Sequence, residues 1–484
     1  MSGITVLAVV SEIYPLIKTG GLADVAGALA GALAAEGVAV VTLVPGYPAV
    51  MNKINAAEAV LAAPDLFGGK ARVLRAKVAG LDLFVLDAPH LFARPGGPYA
   101  GPDGRDWPDN PFRFAALCQI AARLARGECP RFRPDVVHGH DWQAGLTAAY
   151  LTYDGRPRPA TVITIHNLAF QGQCPAALLA PLGLPPRAFD VEGVEYYGTI
   201  GFLKAALALS DKITTVSPAY AAEIRTPEHG MGLDGLLRAR SDSLTGILNG
   251  IDDAVWNPRE DAWLAAPYSI QTRQKRSQNK PALQKHFGLT VERDALLFGV
   301  VSRLAWQKGI DLILANLERI EKIGGQLAVL GSGDPPFEEA FRVAAKARPG
   351  RVAAMTGYDE RTAHMIQAGA DALLIPSRFE PCGLTQLCAM RYGAVPVAAR
   401  VGGLMDTIID ANEMAVAAKL GTGIHFSPTT RNGLGAAIER TRKLWDTPKV
   451  FDRIRANGMK TDVSWRGPAA AYARLFRELT PAAR

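Results

Sequence analysis

Short β-branched apolar runs alternate with alanine- and leucine-rich segments of helical period along the whole chain. The runs ITVLAVVS, VAVVTLVP, DVVHGH, ATVITIHN, KITTVS and LTGILNG predict strands in the first half, and LLFGVVS, GQLAVLGSG, RVAAMTG, ADALLIPS and AVPVAAR predict them in the second. Interleaved with helical segments, they predict an α/β protein with largely parallel sheets. The turn-rich stretch NGIDDAVWNPREDAWLAAPYS reads as the crossover between two domains. Domains are therefore expected at residues 1–245 and 246–460, with 461–484 carrying a last helix, GPAAAYARLFREL, expected to return to the first domain. A short echo, Gly20-Gly21-Leu22-Ala23-Asp24 against Gly402-Gly403-Leu404-Met405-Asp406, fits two similar nucleotide-fold halves and fits chance as well.

Composition narrows the classes. Of 484 residues, 49% are hydrophobic and 20% charged, and no apolar run reaches the roughly 18–20 residues that span a bilayer. MSGITVLAVVSE has no basic leader and runs straight into a strand, so a signal peptide is not expected and the cytoplasm is the expected location. Five scattered cysteines, none spaced C-x-x-C, argue against a disulfide framework and a zinc site. The net charge of +7 is dispersed, with no arginine-rich arm, which disfavours nucleic acid and suits a small anionic ligand.

The opening strand, loop, helix and strand lack a dinucleotide fingerprint. The loop SEIYPLIKTGG is long, its glycines are adjacent, and the second strand ends in VPGY without an acid, so a nicotinamide oxidoreductase is disfavoured. Lys18, Gly20 and Gly21 suit an anionic oxygen at a helix start, and read alone they suit a plain turn with a solvated lysine equally well.

Polar residues recur beyond the carboxyl ends of strands, where open parallel sheets bind ligands. They include Asp141, Asn167 with Phe170 and Gln171, Asn249, the pair Arg303 and Lys308, Gly331 and Gly333, Tyr358, and Glu380 with Gly383, and together they predict a cleft. Arg303 and Lys308 could neutralise a diphosphate, the alternative being an exposed salt bridge. The first N–H groups of a helix at Gly383, Leu384 and Thr385 would add positive charge there, while Glu380 could equally be an ordinary helix-start carboxylate. His138 and His140 lack a third ligand at metal spacing and read as satisfied strand-end histidines, whereas His166 stands beside a turn. No D-x-D triplet occurs, so a metal-chelated nucleotide diphosphate is not indicated and no metal is expected.

At KTGGLADVAGAL, HGHDWQAG, TIHNLAFQG, NGIDDAVWNP, SRLAWQKGIDL, GSGD and EPCGLTQLCAMRYGAVPVAARVGGLMDT the chain resembles the bacterial glycogen synthases and the related plant starch synthases, in order from about residue 6 to past 430. The resemblance implies two Rossmann-like domains facing a deep cleft, the GT-B glycosyltransferase architecture. It further implies a retaining glucosyltransferase that moves glucose from ADP-glucose, a substrate and not a cofactor, to the non-reducing end of an α-1,4-glucan. Membrane and nucleic-acid partners are not expected, and a homo-oligomer is left open.

By the same resemblance Lys18, Gly20 and Gly21, with Asp24 nearby, meet the donor diphosphate and sugar; Asp141, His166 and Asn249 face the transferred glucose. Arg303 and Lys308 match the phosphate-binding pair, Tyr358 the residue packed on adenine, Glu380 the essential glutamate, and Cys382 to Thr385 the glycine-containing helix start. Gly331 and Gly333 are taken as donor contacts, and Phe170 and Gln171 as acceptor contacts. Seven residues beyond Glu380, where the wider glycosyltransferase pattern has a second glutamate, stands Cys388. That family also tends to lack the second acid, which leaves the part played by Cys388 open. A nucleotide-sugar isomerase and a silent glucan-binding protein are the remaining rivals.

Overall fold

The computed structural model describes residues 3–357 and 359–480. The chain divides into two compact units, one running to Asn249 and resuming at Trp465, the other Gly250–Ser464.

The first unit contains β1 (Ile4–Val9), β2 (Val38–Pro45), β3 (Glu58–Ala63), β4 (Ala71–Val78), β5 (Leu81–Asp87), β6 (Val136–His140), β7 (Ala160–Ile165), β8 (Gln173–Pro175), β9 (Glu195–Tyr196), β10 (Thr199–Gly201), β11 (Lys212–Thr215) and β12 (Leu244–Gly246). Nine of them form one sheet in the order β12-β11-β7-β6-β1-β2-β5-β4-β3. It is parallel from β12 to β5 and antiparallel through β4 and β3. Val6, Leu7 and Val9 of β1 are fully buried, because helices cover both faces of a parallel sheet and leave no wet side. On one face the helix Gly21–Ala35 offers Val25, Leu29 and Leu33 to Tyr472 and Phe476 of the C-terminal helix Arg466–Leu479. Arg477 then donates to the Glu36 carbonyl at 2.7 Å.

The second unit is a single parallel sheet ordered β15-β14-β13-β16-β17-β18, from β13 (Leu296–Val301), β14 (Gly325–Gly331), β15 (Val352–Thr356), β16 (Ala372–Ile375), β17 (Val395–Ala399) and β18 (Ile424–Phe426). The direction of winding reverses between β1 and β6 in the first unit and between β13 and β16 in the second. Such switch points leave a crevice at the carboxyl ends of the strands, which is where ligands bind in this architecture.

Every strand read from the sequence is present. Those not anticipated are the β3-β4-β5 extension, the small antiparallel sheet β8-β10-β9, and β18. The hairpin β4-β5 turns on Ala79 and Gly80, both at positive φ (51° and 77°), with Arg75 and Asp82 paired across it at 2.6 Å.

Candidate active site

In the first unit β1, β6 and β7 are neighbours, so the loops leaving Val9, His140 and Ile165 emerge side by side. Within the first of these loops the Lys18 ammonium lies 2.8 Å from Asp24 and 5.4 Å from the centre of the Tyr14 ring. Gly20 is extended (φ −159°, ψ −168°) and precedes a helix that no side chain caps. The close approach in this segment is made by Gly27, where a Cβ would stand 2.5 Å from the Tyr14 carbonyl.

Asp141, at the end of β6, has φ 57° and ψ −172°, a backbone conformation that favours glycine and marks local strain in any other residue. Its Oδ1 accepts the N–H of His166 at 2.7 Å and that of Asn167 at 3.4 Å, tying the exit of β7 to the exit of β6. Burial pushes its pKa up to about 7 in spite of those hydrogen bonds, and the Glu12 charge adds to the rise. His166 Nε2 and His140 Nδ1 are 2.9 Å apart, and His138 Nε2 is 2.6 Å from Thr164 Oγ1. Burial lowers all three histidines, His140 to about 3 and His138 and His166 well below 6.5, so they stand neutral at pH 7. Asn249 is buried, and its Oδ1 has no hydrogen-bond partner among the described residues. Phe170 is half exposed, and Gln171 donates to the Met231 carbonyl at 3.0 Å.

In the second unit the loops after β13 and β16 come together. Lys308 Nζ is 2.6 Å from Glu380 Oε2, which also accepts the Ser377 hydroxyl at 2.8 Å. Glu380 is buried, and both of these bonds fall on its Oε2. Arg303 is exposed, and its guanidinium donates to Gln307 Oε1 at 3.2 Å. The helix following Glu380 starts at Thr385, and the N–H groups of Gly383, Leu384 and Thr385 donate to no other described residue. Gly383 is at φ 73°, and Gln386 Nε2 returns to the carbonyls of Cys382 and Gly383, both at 2.9 Å. A second helix start is pressed against this turn: Gly403 donates to the Glu380 carbonyl at 3.0 Å, and a Cβ on it would stand 2.4 Å from the Cys382 Cα.

Gly331 and Gly333 owe their identity to backbone contact. A Cβ on either would meet the carbonyl of Ser302 (2.0 Å) or of Leu304 (2.4 Å), so the β14 loop lies directly along the Arg303 loop. Cys388 is buried among Ile251, Leu387, Met390 and Val463, a packing position. Tyr358 lies outside the described residues.

Gly309, beside Lys308, combines φ 67° with a would-be Cβ 2.0 Å from the Pro376 carbonyl, whereas Gly288 has φ 68° and open space. A left-handed non-glycine costs about 1–2 kcal/mol and overpacking about 1–3 more. Thermal unfolding should therefore show Gly309→Ala clearly less stable than Gly288→Ala; equal losses would mean the Pro376 contact relaxes freely.

The first unit matches the starch synthase catalytic domain over residues 5–239, and residues 283–458 match the glycosyl transferases group 1 domain. Over 99% of both chains the protein is 68% identical to a glycogen synthase of Methylocella silvestris. The chain belongs to the glycogen and starch synthase family. A glycogen synthase of Rhodopseudomonas palustris strain BisA53 is 62% identical over 100% of this chain and 99% of its own. Among solved structures, the catalytic domain of starch synthase IV from Arabidopsis thaliana, bound to ADP and acarbose, superposes with a TM-score of 0.90 at 32% identity. That match covers 99% of this chain and 100% of the other. Sucrose-phosphate synthase from Thermosynechococcus elongatus, at 18% identity and a TM-score of 0.60 over 99% of this chain and all of its own, shares the fold alone. The fold of this synthase family member is the two-domain α/β GT-B glycosyltransferase fold.

Sequence reasoning passed over Glu12, Ser377 and Gln386, which hold other parts of the site. Glu12 follows a strand end by three residues and reads as a solvated loop acid, and Ser377 and Gln386 gain meaning only from their partners. Among the described residues no cluster of three or more His, Cys, Asp or Glu is placed to hold a metal ion, and no helix is long and apolar enough to cross a membrane.

Proposed function

We propose that the chain is a cytoplasmic glycogen synthase that transfers glucose, with retention, from ADP-glucose to the non-reducing end of an α-1,4-glucan. The observation that carries this reading is the 68% identity to a glycogen synthase over 99% of both chains. The ADP bound to the Arabidopsis relative supports an adenine nucleotide donor.

On this reading the second unit holds the donor nucleotide. Breaking the anomeric bond leaves an oxocarbenium-like sugar and an ADP with growing negative charge. Lys308, Arg303 and the free N–H groups at Gly383, Leu384 and Thr385 stabilise that charge more in the transition state than in the ground state. Cys382 shapes this turn, Gly331 and Gly333 let the β14 loop back the Arg303 loop, and Tyr358 packs on adenine. Glu380, anchored through Oε2, offers Oε1 to a donor hydroxyl. In the first unit Lys18, Asp24 and the Gly20-Gly21 helix start serve the phosphates and sugar. Asp141, His166 and Asn249 hold the transferred glucose, and Phe170 and Gln171 serve the acceptor. A neutral His166 can donate or accept one hydrogen bond to a sugar hydroxyl without adding a charge. Cations of the protein, not a metal, are the counter-charge in this scheme. With no nucleophile assigned, the acceptor hydroxyl attacks on the face ADP leaves and gives its proton to the departing phosphate; a trapped glycosyl-enzyme adduct in mass spectrometry would overturn that step.

Nucleotide release from ADP-glucose and from UDP-glucose, with and without glycogen, tests the reading. The expected result is ADP release only when glucan is present, together with chain elongation. Release without glucan would favour an isomerase or hydrolase, and no release from either donor would leave a silent glucan-binding protein.

A further inference from the structure

Glu12 is 2% exposed at the carboxyl end of β1, where an ionisable group is costly unless donors satisfy it. Its Oε2 accepts both the Thr19 hydroxyl, at 2.7 Å, and the Thr19 backbone N–H. No lysine or arginine pairs with it among the described residues. Burial pushes its pKa up, and the Thr19 contacts oppose the rise. Its charge also raises the pKa of Asp141, so two carboxyl groups lie close enough to disfavour each other's ionisation. As a mere loop support this arrangement is poor, since an apolar side chain would fill the same space without the desolvation or the repulsion.

The position of the clasp accounts for it. The loop folds back on itself through paired Ile13 and Ile17, Tyr14 N–H reaches the Ala23 carbonyl at 3.0 Å, and Gly27 lets the Tyr14 carbonyl lie against the helix. Asp24 holds the Lys18 ammonium, and Glu12 grips the next residue, Thr19, through its hydroxyl and backbone N–H. We propose that Glu12 is a positioning residue that fixes the Thr19-Gly20 backbone and thereby places the Lys18 ammonium and the Gly20-Gly21 helix start for the nucleotide-sugar donor, which rests on the donor role given to that loop above.

The test is a set of three variants, Glu12→Ala, Glu12→Gln and Thr19→Val, measured for KM of ADP-glucose, KM of glycogen, kcat, Kd of ADP by calorimetry, and thermal unfolding. Glu12→Ala is expected to raise the donor KM at least tenfold while the glycogen KM moves less than twofold. Glu12→Gln, which keeps one acceptor oxygen, should recover part of that loss, and Thr19→Val should show a smaller shift of the same donor-specific kind. A donor KM within twofold of wild type in Glu12→Ala, or equal rises for donor and glycogen, would overturn the proposal. Should Glu12→Ala not fold, Thr19→Val decides alone: an unchanged donor KM sinks the clasp. Wild-type protein that binds ADP without transferring glucose would instead defeat the synthase reading, and the ADP affinities of the variants would still decide the clasp.

Discussion

Lys308→Ala is expected to lower kcat by roughly 10²–10³-fold, the usual cost of deleting one preorganised donor from a transition state that gathers negative charge. The ammonium lies 2.6 Å from Glu380 with only 19% of its side chain exposed, so water replaces it poorly. Removing it also leaves the Glu380 carboxylate with the Ser377 hydroxyl as its remaining anchor, and the variant should unfold at a lower temperature. Arg303→Ala supplies the control. Arg303 is exposed and its guanidinium bonds Gln307 at 3.2 Å, so its loss should leave stability within about 0.5 kcal/mol while kcat still falls. A Lys308→Ala enzyme with near wild-type turnover would remove the phosphate role; a stability loss without a rate loss would make the Lys308–Glu380 pair purely structural. Lys308→Arg should rescue little, because a planar fork does not reproduce a point charge held on one carboxylate oxygen.

Much of the architecture could be read from the chain because parallel strands buried on both faces announce themselves as continuous Val, Ile and Leu runs, as β1, β2, β7, β13 and β14 do. β4 escaped notice for the opposite reason: ARVLRAKV is interrupted by cations, and its pairing depends on a turn at Ala79-Gly80. β18, three residues long, carries too little pattern to register. At the site, position along the chain was informative wherever a polar residue directly follows a strand, which is how Asp141, Arg303 and Glu380 stand out. Conformation was not: nothing in HGHDWQ announces that Asp141 takes a backbone conformation that favours glycine. Gly331 and Gly333 show a further limit, since glycine for ligand approach and glycine for backbone packing look the same in a sequence. Glu12 was hidden because a buried acceptor is defined by its donors, and here both belong to Thr19, seven residues further on.

Asp141→Asn should separate function from stability. In the unfolded chain this carboxyl has a pKa of 3.8, and in the folded protein burial holds it at about 7. Between those values the native state binds the proton more tightly than the unfolded state, so this group's contribution to stability falls as pH rises from about 4 to 7 and stays lost above. A three-unit shift corresponds to on the order of 4 kcal/mol. The three buried histidines act with the opposite sign. Their pKa values are depressed, His140 to about 3, so the unfolded state takes up protons first and stability is lost as pH falls below about 6.5. Asparagine tolerates positive φ better than most residues and keeps an oxygen for the His166 N–H, so the variant should fold. Its unfolding temperature is expected to match wild type near pH 4 and to exceed it at pH 8, while the histidine limb on the acid side remains. Turnover should nevertheless drop, by about tenfold or more if the carboxylate bonds a sugar hydroxyl at the usual 1.5–3 kcal/mol for a charged acceptor. An Asn variant less stable than wild type at pH 8 would mean that the two backbone hydrogen bonds outweigh the burial of the charge. One that kept full activity would remove Asp141 from sugar binding and leave it the task of tying the ends of β6 and β7 together.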